Sequence, residues 1–394
     1  MPSRTKSAAA PLYLLCCLIL GGSAEGSWQN AVLELAGAAM IAWAAITRSG
    51  EAMSRQAKLL LLLVLGTALL IDLAATPWPT PSFARGMLGR ISADYRLLER
   101  AAPGFPLPFP PHLSLTSLFL LLPPLAIFCV MTRLRAYRSS WLVAALLGGT
   151  IAGILLAFLQ AAIAANLPPN GFGPGVRGPG RGFFESSDDM AALLLVSLPF
   201  TAAIGVSARP HLRSYTALLV LILALAAMIV VALSLTGSIA AFALSGPVLC
   251  ASALVLLRPG GWRRLLLIIA GLLWLTASIT VLELYGDDNA LGANGYSGFS
   301  REMGLLGMIV LFLFLLWFAA SIWDIWGRRR GGPFVQASSI ASAALLVQSL
   351  VQFPLETAAI TSCFGMCLAF LADRRLPRPQ ERDDLRPARH VVVG

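Results

Sequence analysis

The chain has 394 residues, of which 57% are apolar and only 12% are charged, and its mean hydropathy is +0.78. Soluble domains carry roughly a quarter charged residues, so this composition excludes an ordinary soluble enzyme and a disordered chain. The net charge of +10 does not by itself indicate nucleic-acid binding, because basic residues in so apolar a chain mark the sides of a bilayer. The sequence is that of a polytopic membrane protein.

Twelve apolar runs follow one another along the chain, each near the roughly 20 residues that a membrane-spanning helix needs. Because lipid offers no partner to open backbone groups, the runs predict helices and an all-α transmembrane bundle. Only Thr236-Gly237-Ser238 separates the seventh run from the eighth, which predicts a tight hairpin or a bent pair. The predicted runs are 9–23, 28–47, 57–75, 115–132, 141–165, 189–207, 214–235, 239–257, 265–285, 303–326, 335–352 and 356–372.

The orientation follows from the basic residues, since Lys and Arg in short loops mark the cytoplasmic side. With the N-terminus inside, every predicted inner loop is basic and both termini are cytoplasmic. The predicted outer loops are then 76–114, 166–188 and 286–302. We expect one transmembrane domain over residues 1–372 and a disordered, basic cytoplasmic tail over 373–394. The basic residues on the predicted outer side are Arg85, Arg90, Arg96, Arg100, Arg177, Arg181 and Arg301.

The outer loop 166–188 is the first candidate for chemistry. Between Pro168 and Gly182 it combines six glycines and four prolines with Arg177 and Arg181. Glycine allows close approach of backbone amides to an anion, and a guanidinium group binds phosphate through two hydrogen bonds. The loop therefore suits a phosphate-bearing ligand; the alternative is a flexible surface loop with two solvated arginines.

Three acids, Glu185, Asp188 and Asp189, stand where the next helix begins. The helix dipole favours acids at this position and Ser186 or Ser187 can cap the helix, which explains the acids without a function. The alternative is that Asp188 or Asp189 acts as a general acid or base.

His112 is the histidine on the predicted outer side, and histidine is the side chain that ordinarily titrates near neutrality. It is a further candidate base, with a surface or interface residue as the alternative. The acids Asp72, Glu283 and Asp324 lie near the ends of apolar runs, which favours interfacial positions. The six cysteines all lie in apolar runs, so neither a disulfide framework nor a metal site is predicted.

Five segments resemble, in chain order, the motifs of the O-antigen ligase and O-antigen polymerase family. The most extensive is an Arg/Gly/Phe stretch at the start of a helix that ends with a proline. The segments are LGGS at 20–23, the stretch from Arg177 through RGFFESSDDMA at 181–191 to Leu198-Pro199, LTGS at 235–238, EMGLLG at 302–307 preceded by Asn294 and Tyr296, and QSLVQFPLET at 348–357.

The resemblance implies a metal-independent glycosyltransferase of the bacterial inner membrane that needs no cofactor. Its partners would be a polyprenyl-diphosphate-linked glycan, a lipid A-core or polysaccharide acceptor and the bilayer, with no nucleic acid. The glycan would pass from undecaprenyl diphosphate to the acceptor on the periplasmic side. Arg177 and Arg181 would hold the diphosphate, and Asp188, Asp189 or His112 would accept the proton of the attacking hydroxyl.

The chain departs from the family's pattern at several positions. Ala293 stands where the family has a histidine, in an outer loop that is shorter than usual. Ile239 replaces the arginine of a Ser-Arg-Gly turn, and Ser186 and Asp188 replace asparagines. Two alternatives therefore stay open: a catalytically silent family member that binds the lipid carrier or a polysaccharide-assembly partner, and a polytopic transporter or flippase.

Overall fold

A computed structural model gives the structure of the chain. It describes residues 2–23, 27–47, 53–75, 118–134, 139–166, 181–208, 215–257, 261–285, 295–328, 331–350, 352 and 354–373. Every regular element in these ranges is helical. The α-helices are α1 (Pro2–Leu20), α2 (Trp28–Ile46), α3 (Arg55–Ala75), α4 (Leu122–Cys129), α5 (Ser139–Asn166), α6 (Ser187–Ala208), α7 (Tyr215–Thr236), α8 (Ile239–Leu257), α9 (Gly261–Tyr285), α10 (Gly295–Trp326), α11 (Pro333–Gln348) and α12 (Ala358–Ala372), with a π-helical turn at Val130–Leu134 and a 3-10 turn at Pro354–Glu356.

Each predicted apolar run coincides with one of these α-helices, so the all-α prediction is confirmed for the described residues. Within the described residues, six helices contain a segment that is long and apolar enough to cross a bilayer, namely α2, α5, α6, α7, α8 and α10. The protein is therefore a helical membrane protein by length and composition of its helices. The count of twelve spans and the cytoplasmic position of both termini stay predictions, and the tail at 374–394 lies outside the described residues.

Helix α6 lies at the centre of the bundle. It packs against α5, α7, α8 and α11, and it is buried from Asp189 to Ala203 on all its faces. The hydroxyl groups of Thr150 in α5 and Ser197 in α6 lie 2.7 Å apart in this interior. A buried polar pair is directional, so it fixes the register of two helices that apolar packing alone would leave free to slide.

At one end of the bundle, two side chains donate hydrogen bonds to carbonyl groups in the last turns of helices that lie elsewhere in the chain. The Ser54 hydroxyl group caps the start of α3 and donates to the carbonyl oxygen of Ala372 in α12 at 2.8 Å. Nη2 of Arg133 donates to the carbonyl oxygen of Ala45 in α2, also at 2.8 Å. These bonds satisfy carbonyl groups that have no partner within their own helix. We call this the Ser54 end.

At the opposite end, backbone groups pair directly. The amide of Glu185 donates to the carbonyl oxygen of Gly22 at 3.0 Å, and the amide of Ala359 donates to that of Gly21 at 3.2 Å. The two glycines that follow α1 therefore lie between the start of α6 and the start of α12. We call this the Gly22 end.

Helix α12 approaches α4 closely through Gly365. A Cβ atom at position 365 would lie 2.6 Å from the carbonyl oxygen of Pro124 and 2.8 Å from its Cα atom. Both are backbone atoms of α4, so a side chain at this position requires the helix itself to move.

We predict that Gly365→Ala lowers the free energy of unfolding by about 1–3 kcal/mol, the usual cost of overpacking. Thermal unfolding of the purified protein in detergent measures the change. The control is Gly66→Ala in α3, where a Cβ atom would meet no described atom within 4 Å and alanine improves helix propensity. Equal stability of the two variants would contradict the prediction.

Candidate functional site

Gln160, near the end of α5, holds the segment that leads into α6. Its Nε2 donates to the carbonyl oxygen of Gly182 at 2.9 Å, and its Oε1 accepts from the amides of Arg181 at 3.1 Å and Gly182 at 3.0 Å. Gly182 has a φ of +62°, which favours glycine. A Cβ atom there would also lie 2.8 Å from the carbonyl oxygen of Gly153. These three hydrogen bonds, which we call the Gln160 clamp, hold the backbone of Arg181 and Gly182 against α5 at the Gly22 end.

Ser186 caps α6. Its Oγ accepts from the amide of Asp188 at 3.2 Å, and its carbonyl oxygen accepts from the amide of Met190 at 3.4 Å. The predicted cap is therefore confirmed for Ser186. The helix begins at residue 187, so both aspartates lie in its first turn, where the helix dipole favours negative charge. Asp188 is half-buried, whereas Asp189 is buried, with 8% of its surface exposed.

Four carboxylates come together at this helix start. Asp188, Glu185 and Glu356 all interact electrostatically with Asp189. Glu356 comes from the 3-10 turn before α12, far along the chain, and it is exposed, as is Glu185. Arg181 forms no ion pair with any described carboxylate. In the described part of the Gly22 end, the guanidinium group of Arg181 is therefore not neutralised by an ion pair, although acidic residues follow it in the same segment.

A chain of hydrogen-bonded side chains joins the end of α11 to the turn between α7 and α8. Nε2 of Gln348 donates to Oε1 of Gln352 at 3.0 Å, and Nε2 of Gln352 donates to Oγ of Ser238 at 3.3 Å. Ser238 follows Gly237, whose φ is +72°, and it caps α8 through the amide of Ala241 at 3.4 Å. The tight turn predicted between the seventh and eighth runs is confirmed.

The structure brings together three of the five predicted site residues. Arg181, Asp188 and Asp189 lie within one short segment at the Gly22 end. Arg177 and His112 lie outside the described residues, as does the part of loop 286–302 that contains Ala293. Among the described residues, no group of His, Cys, Asp or Glu is arranged to hold a metal ion.

The structure also describes other residues that the sequence analysis named. Ile239, where the family has arginine, is the first residue of α8, and 56% of its side chain is exposed. Asp324, predicted to be interfacial, forms an ion pair of 3.2 Å with Arg328 at the end of α10. The six cysteines are free thiols, and Cys17, Cys363 and Cys367 are buried.

The sequence analysis assigned no structural or functional role to four polar residues. Glu356 belongs to the acidic cluster, Gln160 clamps the Arg181 segment, and Gln348 is buried at the end of α11. Glu34 is a carboxyl group inside α2, among apolar residues. Gln160 and Glu34 are single polar side chains within apolar runs, where averaging of hydropathy hides them, whereas Gln348 and Glu356 lie in the segment 348–357 that was noted only for its resemblance. Counting isolated polar residues inside the runs is the signal that could have found Gln160 and Glu34.

Comparisons of the chain with protein-family models, with curated proteins and with solved structures found no match. Its function is therefore argued from the motifs and from the geometry of the Gly22 end.

We predict that Gln160→Leu increases the rate of trypsin cleavage after Arg181 severalfold. Leucine fills a similar volume but cannot form the three hydrogen bonds that hold the backbone of residues 181 and 182 against α5. Mass spectrometry of the purified protein during limited digestion measures the rate. Gln336→Leu, at a half-buried glutamine at the start of α11, serves as the control. Equal rates in the wild-type protein and Gln160→Leu would show that the clamp does not order this segment.

Proposed function

We propose that the chain is a membrane glycosyltransferase similar to O-antigen ligases and polymerases, which transfers a glycan from a polyprenyl diphosphate carrier. One observation carries the proposal: four segments that resemble motifs of that family, far apart in sequence, meet at the Gly22 end. Residues 20–23 bond to residues 185 and 359, and residue 238 bonds to residue 352. Glu356, in the segment 348–357, interacts electrostatically with Asp189 in the segment 181–191.

The proposed reaction needs few groups. The oxygen of an acceptor hydroxyl group attacks the anomeric carbon of the glycan, and the bond from that carbon to the diphosphate oxygen breaks. The hydroxyl proton passes to a carboxylate, and the electron pair of the broken bond stays on the diphosphate. Arg181, together with Arg177 from the same outer loop, stabilises the leaving charge. Asp188 is the more accessible of the two aspartates, since Asp189 is buried.

The proposed setting is the bacterial inner membrane, with the Gly22 end on the periplasmic side. This orientation follows from the distribution of basic residues, which favours a cytoplasmic Ser54 end. The acceptor would be lipid A-core or a growing polysaccharide. The isoprenoid chain of the carrier would lie against apolar helix surfaces that face the bilayer.

One observation favours a second candidate, a catalytically silent relative that binds the lipid carrier. Ile239 presents an exposed apolar side chain next to the Ser238 turn, where the family has an arginine. An apolar side chain cannot neutralise a diphosphate but can contact an isoprenoid. The two candidates differ in whether glycan transfer depends on polar residues of the Gly22 end.

We predict that Arg181→Ala lowers the rate of glycan transfer by about 10- to 100-fold, because the leaving diphosphate loses a charge-assisted hydrogen bond. Transfer of a labelled glycan from undecaprenyl diphosphate in isolated membranes measures the rate. Arg328→Ala is the matched control, since this arginine is already paired with Asp324 at the Ser54 end. An unchanged rate in Arg181→Ala would rule out the proposed role of the arginine.

We also predict that Asn replacement of the catalytic base, either Asp188 or Asp189, lowers the rate constant for transfer by about 100-fold or more. Asparagine keeps the shape of the side chain but cannot take up the proton. The same membrane assay, run at saturating donor and acceptor, measures the effect, with Asp324→Asn as the control. Full activity in both Asp188→Asn and Asp189→Asn would favour the silent relative.

A further inference from the structure

We propose that the exposed face of α2 binds a membrane-spanning helix of a partner protein, and that a lysine or arginine of this partner helix pairs with Glu34. The face contains none of the residues proposed for glycan transfer. Its assignment as a docking surface therefore does not rest on the proposed function.

Glu34 lies within the apolar part of α2. The helix has 19 residues, so it extends about 28 Å, close to the roughly 30 Å of a hydrocarbon core. Trp28 begins the helix with 69% of its surface exposed, a typical position for tryptophan at a membrane surface. Glu34 lies about 9 Å further along the helix axis. A carboxyl group at this depth is costly unless another group pairs with it.

Helix α2 packs against the bundle on one face. Leu33, Gly37 and Ala44 are buried. A Cβ atom at Gly37 would lie 2.7 Å from the hydroxyl oxygen of Tyr13 in α1 and 3.3 Å from the carbonyl oxygen of Leu122 in α4. The exposed residues recur with the period of a helix and form a continuous apolar surface, which we call the open face. They are Trp28, Ala31, Val32, Leu35, Ala38, Ala39, Ala42, Ala45 and Ile46.

Glu34 stands at the edge of the open face. It is half-buried, and Ala31 and Ala38, one turn before and one turn after it, lie on the same side of the helix. Tyr13 interacts electrostatically with Glu34, but its hydroxyl group donates to the carbonyl oxygen of Leu33 at 2.7 Å. Among the described residues, Glu34 forms no ion pair. The described part of the bundle therefore supplies no cation to this carboxylate.

Charge complementarity selects the partner. A lysine or arginine that is itself within the membrane gains as much from the pair as the carboxylate does, because both charges are costly alone. The apolar residues around Glu34 fit the apolar surface of such a helix. A second copy of the chain offers no suitable cation, since the twelve predicted apolar runs contain no lysine or arginine except Lys58. Lys58 lies in the first turn of α3, at the Ser54 end and far from the depth of Glu34.

Small residues beside Glu34 allow the partner to come close. Ala31, Ala38 and Ala45 follow one another at intervals of two helical turns and are exposed. Alanines in such a row let the backbones of two membrane helices approach. A basic side chain of a helix packed on this row can then reach Glu34. A large side chain at position 38 would hold the partner helix away.

The test uses the full chain in phosphatidylcholine vesicles, because this headgroup has no N–H group that could pair with Glu34. The probes are synthetic apolar helices of about 24 residues with lysine, glutamate or leucine one third of the way along. Energy transfer from a fluorescent protein at the C-terminus of the chain to a dye on the peptide measures association. We expect the wild-type protein to bind the lysine peptide at least tenfold more tightly than the leucine peptide. Glu34→Leu should lose this preference, and Glu34→Lys should prefer the glutamate peptide.

A pair of alanine variants tests the geometry. We expect Ala38→Leu to weaken binding of the lysine peptide about tenfold, since it blocks close approach next to Glu34. The matched control is Ala39→Leu, which changes an exposed alanine of the same helix that lies about 100° further from Glu34 around the axis. If Glu34→Lys does not insert, Glu34→Leu decides.

Three results would overturn the inference. Equal binding of the lysine and leucine peptides by the wild-type protein would assign Glu34 to a lipid headgroup or to an arginine of the chain outside the described residues. A preference that persists in Glu34→Leu would show that the lysine binds elsewhere. Energy transfer between two differently labelled copies that Glu34→Leu abolishes would assign the face to a second copy. No glycan donor takes part in these measurements, so their failure leaves the proposed function intact, and loss of transfer in Arg181→Ala leaves the docking surface intact.

Discussion

The burial of α6 from Asp189 to Ala203 is the constraint on which the rest of the structure depends. In a bilayer, exclusion from water does not drive helices together, because lipid is as apolar as the helix surfaces. A helix enclosed by α5, α7, α8 and α11 is therefore held by close packing and by polar contacts such as that between Thr150 and Ser197. Because α6 is fixed in this way, its first turn holds Asp188 and Asp189 at a defined position at the Gly22 end.

Two glycines at the end of α1 make that position possible. A Cβ atom at Gly22 would lie 2.5 Å from the carbonyl oxygen of Phe183, and one at Gly21 would lie 2.9 Å from the amide nitrogen of Ala359. Without side chains, the carbonyl groups of both glycines reach amides that belong to other segments. The end of α1 thereby acts as a connector, and it sets the spacing between the acids of α6 and Glu356 before α12.

The hydropathy of the sequence predicted where the helices lie along the chain, but not how they pack against one another. Helix α7 is more apolar than α6, yet most of α7 is not buried, whereas α6 is buried from Asp189 to Ala203. A helix that faces lipid must be apolar on its outer surface, whereas a central helix can keep Ser197 and Thr201, since protein groups bond to them. Local rules therefore predicted the cap at Ser186 but not the approach of Glu356 to Asp189, which depends on how distant helices pack.

Two kinds of charged side chain lie at the Gly22 end: Arg181, on the segment held by Gln160, and the carboxylates that interact with Asp189. A lipid-linked glycan has two matching groups, an anionic diphosphate and the reacting carbon next to it. A carboxylate beside the reacting carbon can accept the acceptor's proton, so a histidine at position 293 is not required for the chemistry that we propose.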